Sequence, residues 1–311
     1  MQKIMNKVGS LLLAAMTTAA LFTGCGKSEQ SATADSSAQG QDSRLSVYAS
    51  FYPMADFAAK IGGGKVTVTT MVPAGTEPHD WEPSAADVAG LEKANVFVYN
   101  GLGIESWAED VLAALQNSEL TTVEASQGLQ TLKGGEEGGR DPHVWLSPLN
   151  AKQEMENIKN ALAKADPSNA QLYEDNYQKY AAEADRLDEE FKAVLSPLPK
   201  KEVIVSHEAF GYLCDAYGLT QVGIEGLSPD SEPDPARMTE IIAFAKEHDV
   251  RVIFFEELVS PKVAETIAAE TGAKTQVLNP LEGLSDEQLA AGDDYFSVMR
   301  QNLEALKAAL E

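Results

Sequence analysis

Two short segments of the chain each place a histidine between a proline and a tryptophan. His79 lies in Glu77-Pro78-His79-Asp80-Trp81, and His143 lies in Asp141-Pro142-His143-Val144-Trp145. The chain contains four histidines, so half of them share this setting. Proline restricts the backbone before each histidine, and the bulky indole two residues later restricts the space around it. The spacing therefore favours a loop histidine held at a fixed angle, as a metal ligand requires.

A third histidine and a glutamate follow predicted strands in the second half of the chain. His207 comes directly after the apolar segment 203–206, and Glu282 follows the segment 275–278. Ligands of open α/β sheets gather beyond the carboxyl ends of the strands, so both side chains are expected in a cleft. Three imidazoles and one carboxylate form a tetrahedral set of the kind that binds zinc. Three candidates remain for the fourth ligand: Glu282, Glu208 and a water molecule.

Other metals and the remaining candidate ligands fit this site less well. Manganese prefers oxygen ligands and would need a second carboxylate, whereas copper(I) prefers sulfur. Cys214 lies in an apolar helical segment and is interpreted as a small buried residue. The fourth histidine, His248, ends a predicted helix, where a cation interacts favourably with the helix dipole. We therefore expect His248 at the surface.

Residues 1–24 are typical of an export signal. Two lysines precede an apolar segment that is too short and too interrupted to span a membrane. The signal runs into Leu21-Phe22-Thr23-Gly24-Cys25, which resembles a bacterial lipobox and predicts lipidation of Cys25, although Phe22 replaces the usual leucine. Residues 25–43 are rich in small and polar residues and predict a flexible tether. An ordinary secretory signal followed by a disordered N-terminus is the alternative.

The formal net charge of −24 at pH 7 bears on the possible partners. Nucleic acids and anionic membrane surfaces would repel such a chain, so neither is expected as a direct partner. The charge suits a receptor for cations, and it equally suits simple solubility. With 44% hydrophobic residues, the folded part can bury a large core, and its length favours two lobes over one.

Strand and helix patterns alternate along the folded part of the chain. This alternation predicts parallel sheets covered by helices, and hence the α/β class. Residues 44–167 form the predicted N-terminal lobe, and residues 196–311 form the C-terminal lobe. Between them, residues 168–195 carry apolar side chains at spacings of three and four, which predicts one long helix joining the lobes.

The glycine-rich segment 127–140 contains Glu136 and Glu137 and leads directly to His143. Such a composition does not favour packing and predicts a mobile loop. A lid, or a weak cation-collecting segment beside the site, is the functional alternative to a plain flexible loop.

Five segments together give the chain a family resemblance. They are residues 77–83, 141–145, 206–210, 254–257 and 278–282. The chain resembles the zinc-binding lipoprotein receptors of bacterial ABC importers, of the adhesion-competence type, over almost everything after the tether. The resemblance implies that the metal ligands are His79, His143, His207 and Glu282, two from each lobe, and that the metal site lies in the cleft between the lobes. It also implies that the long helix joining the lobes is rigid.

Differences among such receptors help to identify the metal that this chain binds. Many zinc receptors carry a long histidine-rich loop before the second histidine, whereas segment 127–140 is short and has no histidine. The resemblance therefore does not extend to loop-assisted capture of zinc. The manganese-binding branch typically has a glutamate at the position of His207 and an aspartate at the position of Glu282. The residues here favour zinc, and a manganese-binding receptor is the alternative.

Two further classes of zinc protein are alternatives to a receptor. A secreted zinc hydrolase also binds zinc through three histidines, with an open position for water. His207 and Glu208 begin an H-E-x-x-H motif, but Gly211 occupies its last position, so the motif fails. A structural zinc site would make the fold depend on the metal, whereas a receptor stays folded without it.

The sequence therefore predicts a zinc receptor rather than an enzyme. We expect a monomer, with a coiled-coil dimer through the helix 168–195 as the alternative. Lipidated Cys25 is expected to anchor it at the extracytoplasmic face of the bacterial cell membrane, where an ABC permease receives the zinc. A rigid linking helix also predicts limited lobe movement, with changes concentrated in the loops around the ligands.

Overall fold

A computed structural model describes residues 44–134, 139–229 and 233–311. The predicted leader 1–24, the tether 25–43 and the lipidation residue Cys25 lie outside these residues, as do Glu136 and Glu137. Within the described ranges, no helix combines the length and the apolar character needed to cross a membrane.

The first lobe is built on a sheet of four parallel strands. These strands are β1 (Leu45–Ala49), β2 (Val66–Thr70), β3 (Val96–Tyr99) and β4 (Thr121–Glu124), in the order β2-β1-β3-β4. Its helices are α1 (Tyr52–Gly62), α2 (Ala85–Leu91), α3 (Ala108–Ala114) and α4 (Pro148–Ala165). The parallel sheet with its helices confirms the predicted α/β class.

A short antiparallel pair, β5 (Lys133–Gly134) and β6 (Gly139–Arg140), lies in the glycine-rich segment. The part of this segment that precedes β5 is packed, because Leu129 and Leu132 contact the hydrophobic core and the backbone N–H of Leu132 donates to the hydroxyl of Tyr212 in the second lobe at 3.0 Å. The prediction that the segment does not pack is therefore wrong for Leu129 and Leu132, whereas Gly139 and Arg140 are exposed.

Local sequence signals explain where the first-lobe helices begin. At α2, Ser84 and Asp87 form a capping box, in which each side chain accepts the backbone N–H of the other residue. The sequence predicts a helix over 104–116, but α3 begins only at Ala108. The predicted start is wrong because the Glu105 carboxylate turns back to accept the backbone N–H groups of residues 100 and 101, which closes a turn.

One long helix leads from the first lobe to the second. A single turn at Pro167–Asn169 precedes α5, which runs for 26 residues from Ala170 to Leu195. At 1.5 Å per residue, α5 spans about 39 Å. Its apolar face is buried against α1 and α4 and against the last helix of the chain. This confirms the predicted long helix.

The second lobe has its own sheet of four parallel strands. These are β7 (Glu202–Val205), β8 (Thr220–Gly223), β9 (Val252–Phe255) and β10 (Lys274–Val277), in the order β10-β9-β7-β8. The helices are α6 (Gly211–Tyr217), α7 (Pro235–Glu247), α8 (Lys262–Thr271), α9 (Asp286–Ala291) and α10 (Tyr295–Leu310). Helix α9 was not predicted, although Ser285 and Gln288 form a capping box at its start, the sequence signal that could have shown it.

The two lobes share a hydrophobic core. One cluster of buried side chains contains Val47 and Trp145 of the first lobe, Leu187 of α5, and Val205 and Phe254 of the second lobe. A smaller cluster lies on the far side of each sheet. Separating the lobes would expose part of the shared core to water, so the fold resists wide opening.

Candidate metal centre

Four side chains from four different loops meet between the lobes. His79 lies between β2 and α2, and His143 lies directly before a single helical turn at Val144–Leu146. His207 follows β7, and Glu282 lies between β10 and α9. One donor atom from each of the four residues lies within 4.8 Å of every other. The structure thus brings together the four residues that the sequence singled out.

Five of the six distances between these donor atoms match the edges of a tetrahedron around a small ion. Glu282 Oε1 lies 3.0 Å from His143 Nε2, and 3.3 Å from the Nε2 atoms of both His79 and His207. His143 Nε2 lies 3.3 Å from His79 Nε2 and 3.4 Å from His207 Nε2. Zinc bonds of about 2.0–2.1 Å give a tetrahedron with edges of roughly 3.3–3.4 Å. The cluster therefore has the size of a zinc coordination shell.

Two carboxylates fix the orientation of the buried imidazoles. His143 Nδ1 lies 2.8 Å from Asp141 Oδ1, and His207 Nδ1 lies 2.5 Å from Glu256 Oε1. A carboxylate accepts a hydrogen bond, so each Nδ1 carries a proton, and in the neutral imidazole Nε2 keeps a lone pair. Both lone pairs face the cluster. This carboxylate–histidine arrangement is the usual support of a metal-binding histidine.

Sequence reasoning did not assign a role to Glu256. The residue directly follows strand β9, and β9 pairs with β7, which carries His207 at its end. The sequence signal that could have identified Glu256 was a carboxylate at the carboxyl end of a central strand. Its partner could be identified only from the pairing of the strands.

The buried groups perturb the pKa of one another. Burial by itself lowers the pKa of His207, but the carboxylates of Glu256 and Glu282 outweigh it and hold the pKa well above its ordinary value. For His143, burial is likewise outweighed by Asp141 and Glu282, which raise the pKa. Burial raises the pKa of Glu282, but the three histidines outweigh it and hold the pKa well below its ordinary range.

Access to the cluster differs among its four members. The side chains of His143 and His207 are 0% exposed and that of Glu282 is 2% exposed, whereas that of His79 is 10% exposed. The Glu77 carboxylate accepts the backbone N–H of His79 at 3.0 and 3.1 Å. This local turn holds His79 at the mouth of the site.

The two tryptophans of the repeated motif have different surroundings. Trp145 is fully buried, lies 5.3 Å from the ring of His143, and donates its indole N–H to Pro280 O at 2.8 Å. Trp81 packs edge-on against Trp107 in the small first-lobe cluster. Trp145 therefore links the first lobe to the Glu282 loop, and Trp81 supports the His79 loop from within its own lobe.

The other candidate ligands considered from the sequence lie outside the cluster. Glu208, an alternative fourth ligand, packs its side chain against Gly223 and is not part of the cluster in the described chain. His248 lies at the exposed end of α7, where its ring stacks on Phe244. Cys214 is buried, and burial raises the pKa of its thiol to about 12, as expected for an inert core residue.

Comparison with known proteins gives matches over nearly the whole described chain. A profile of the family described as ZnuA, zinc-uptake complex component A periplasmic, matches residues 47–309. The high-affinity zinc uptake system protein ZnuA of Bacillus subtilis (strain 168) is 42% identical over 303 residues, which cover 93% of this chain and 94% of that protein. The zinc-binding lipoprotein AdcA of Streptococcus pneumoniae is 38% identical over 316 residues, which cover 97% of this chain and 61% of the longer relative.

Solved structures show the same architecture. The crystal structure of the Zn(II)-bound ZnuA-like domain of Streptococcus pneumoniae AdcA is 40% identical and has a TM-score of 0.78, covering 86% of this chain and 99% of that domain. The laminin-binding protein Lmb of Streptococcus agalactiae, described as an adhesin with metal-transporting activity, is 36% identical and has a TM-score of 0.81. That match covers 86% of this chain and 100% of Lmb.

Proposed function

The chain belongs to the ZnuA family of zinc-uptake components, and we propose that it captures Zn²⁺ outside the cytoplasmic membrane and delivers it to an ABC permease. In this proposal His79, His143, His207 and Glu282 bind one zinc ion between the lobes. The zinc ion is cargo, so the protein must bind it tightly and still release it.

The spacing of the donor atoms is the observation that carries this proposal. Five of the six distances between the donor atoms are 3.0–3.4 Å, and the lone pairs of the neutral donors face one another. Without a cation or shared protons between them, such lone pairs repel. A zinc ion at the centre would satisfy all four groups at once.

The donor set favours zinc over manganese. Three of the four donors are imidazole nitrogens, and manganese prefers sites with more carboxylate and carbonyl oxygens. The named relatives are described as zinc-uptake and zinc-binding proteins. We therefore propose Zn²⁺ as the physiological cargo and a manganese receptor as the alternative.

The proposed location rests on the N-terminal sequence and on the relatives. Cys25 in its lipobox would carry the lipid anchor, and one relative is described as a lipoprotein. The family description places its members in the periplasm. We propose a monomer at the outer face of the cytoplasmic membrane, because the apolar face of α5 packs against helices of its own chain. Its net charge of −24 would repel nucleic acid, so we propose no nucleic-acid partner.

We propose no catalytic activity for the site. A zinc hydrolase needs an open coordination position where water is activated. Here Glu282 would fill the fourth position, and Glu208 packs away from the cluster. Metal-dependent hydrolysis that disappears in the variant Glu208→Ala would contradict this proposal.

Metal titration of the mature chain tests the proposal. The protein is stripped with a chelator and titrated with zinc and with manganese against a chromogenic competitor. We expect one tightly bound zinc per chain, much weaker manganese binding, and a loss of zinc affinity in His143→Ala. The variant His248→Ala is the matched control, since it removes a histidine outside the cluster. Tighter manganese binding, or equal zinc affinity in the two variants, would overturn the assignment.

Thermal unfolding separates a receptor from a structural zinc protein. A receptor should stay folded after metal removal and gain stability on adding zinc by mass action. A structural zinc site would lose its cooperative unfolding transition on chelation. We expect the metal-free protein to unfold cooperatively at a lower temperature than the zinc-bound protein.

A further inference from the structure

Glu282 is the ligand whose position the secondary structure explains least. It lies in the loop between β10, which ends at Val277, and α9, which begins at Asp286. Its side chain is nevertheless buried, and Oε1 lies within 3.0–3.3 Å of all three histidines. Contacts from outside the loop must therefore hold it in place.

The backbone next to Glu282 is in an unfavourable conformation. Leu281 has a φ of 60°, in the left-handed region that is strained for a residue with a side chain. Leu281 is also fully buried. A loop free to relax would leave this conformation, and the carboxylate of Glu282 would turn with it.

Two buried amides hold the loop in this conformation. The side chain of Asn302, on α10, accepts the backbone N–H of Asn279 at 2.9 Å and donates to the Asn279 carbonyl at 2.7 Å. The side chain of Asn279 in turn accepts the backbone N–H of Leu281 at 2.7 Å. Its amide group also donates to the carboxylate of Glu257 at 2.8 Å.

The position of Asn302 makes it a rigid support. Asn302 is 3% exposed and lies on α10, whose apolar face packs against α5 in the shared core. Both its partners are backbone atoms, so it holds the path of the loop rather than any side chain. A hydrophobic residue of similar size at this position would leave the N–H and carbonyl of Asn279 buried and unpaired.

We infer that Asn302 and Asn279 are positioning residues for zinc binding, an amide clamp that aims the Glu282 carboxylate at the three histidines. This inference rests on the proposed function, because it assigns the clamp a role in the affinity of the same site. Neither amide touches the cluster, so both act through Glu282.

A double-mutant cycle tests whether Asn302 acts through Glu282. Asn302→Asp replaces the donor to the Asn279 carbonyl with a repelling carboxylate. We expect a 10- to 100-fold loss of zinc affinity, as is typical for residues that support a ligand. In a Glu282→Ala background the same change should alter zinc affinity less than about twofold. An equal loss in both backgrounds, or no loss in either, would overturn the inference.

The matched control is Asn157→Asp. Asn157 lies on α4, and its side chain donates to the carbonyls of Ala125 and Gln127, so it is also an amide that holds a loop from a helix. We expect zinc affinity to stay unchanged in this control. The visible absorption of bound Co²⁺ gives a second measurement, because loss of a ligand changes the tetrahedral spectrum. Asn302→Asp should change this spectrum and Asn157→Asp should not.

Amide hydrogen exchange of the metal-free protein separates failure of the clamp from failure of the proposed function. Asn302→Asp should speed exchange in residues 279–284, and Asn157→Asp should leave them unchanged. Unchanged exchange in Asn302→Asp overturns the clamp whatever the metal results show, whereas a wild-type protein that binds no zinc overturns the proposed function. If Asn302→Asp fails to fold, Asn279→Ala replaces it in every measurement, because it removes the bond to Leu281 and leaves α10 intact.

Discussion

The indole N–H of Trp145 in the first lobe donates to the carbonyl of Pro280 in the second lobe at 2.8 Å. Trp145 follows His143 closely in the chain, and Pro280 lies in the Glu282 loop. The carbonyl of Trp145 also accepts the hydroxyl of Tyr295 on α10 at 2.7 Å. Trp145 thus connects the His143 segment of the first lobe with the Glu282 loop of the second lobe. It also contacts α10, the helix that carries Asn302.

Trp145→Phe should therefore weaken both the fold and the site. The change leaves the Pro280 carbonyl buried without its donor, which costs about 1–3 kcal/mol. We expect a lower midpoint of urea unfolding and weaker zinc binding. Tyr173→Phe, which removes the hydroxyl that donates to Asp166 at the start of α5, is the control and should affect stability without affecting zinc affinity. Equal zinc affinities in the two variants would argue against the link between the lobes.

Glu256→Gln should lower zinc affinity about 10- to 100-fold. The carboxylate of Glu256 accepts the Nδ1 proton of His207, and a neutral amide holds that proton less strongly. The imidazole then becomes a poorer ligand. Competition with a chromogenic chelator measures the effect, and Glu304→Gln, a surface carboxylate on α10, is the control. Unchanged affinity in Glu256→Gln would show that His207 needs no such support.

Zinc affinity should fall as the pH is lowered. Zinc binds unprotonated imidazole, and the pKa of both His143 and His207 is raised in the metal-free protein. Protons therefore compete with zinc already above the ordinary histidine pKa of about 6.5. We expect apparent zinc affinity to decline from about pH 8 to pH 5, measured with a competitor of known pH dependence. A flat profile would contradict binding through three histidines.

Glu154→Gln should stabilise the metal-free protein at high pH. Glu154 is fully buried on α4, and in the described chain neither of its carboxyl oxygens has a hydrogen-bond partner. Burial, and then the nearby Glu105, raise its pKa well above the ordinary value. The folded state then holds a proton that the unfolded state releases, so wild-type stability falls as the pH rises above about 4.3.

Urea unfolding at two pH values measures this effect. We expect Glu154→Gln to exceed the wild type by about 1–3 kcal/mol at pH 8 and by much less at pH 5. Glu156→Gln, on the same helix but partly exposed, should show no such difference. A gain in Glu154→Gln that is the same at both pH values would mean that the carboxyl group is not protonated in the folded protein.

Features that depend on residues close together in the chain could be predicted from the sequence. The alternation of strands and helices indicated the α/β class, and the Pro-His-x-Trp segments indicated His79 and His143. His207 was recognisable because it directly follows an apolar strand. Segment 168–195 showed its helical periodicity along its whole length.

Features that depend on distant contacts could not be predicted. Glu256 supports His207 only because β9 lies beside β7. Asn302 lies inside a helix, where no local pattern separates an amide that holds a loop from one that faces solvent. The shared core also follows from how α5 and α10 pack, and not from the composition of either lobe.

The unequal exposure of the four proposed ligands predicts an order for the exchange of the ion. His79 is the ligand nearest solvent, so we expect its bond to form last on uptake and to break first on release. Zinc would then pass through a three-coordinate intermediate held by His143, His207 and Glu282, open to an incoming donor from the permease. The opening of one short loop would then be the first step of release, before the three buried bonds are exchanged.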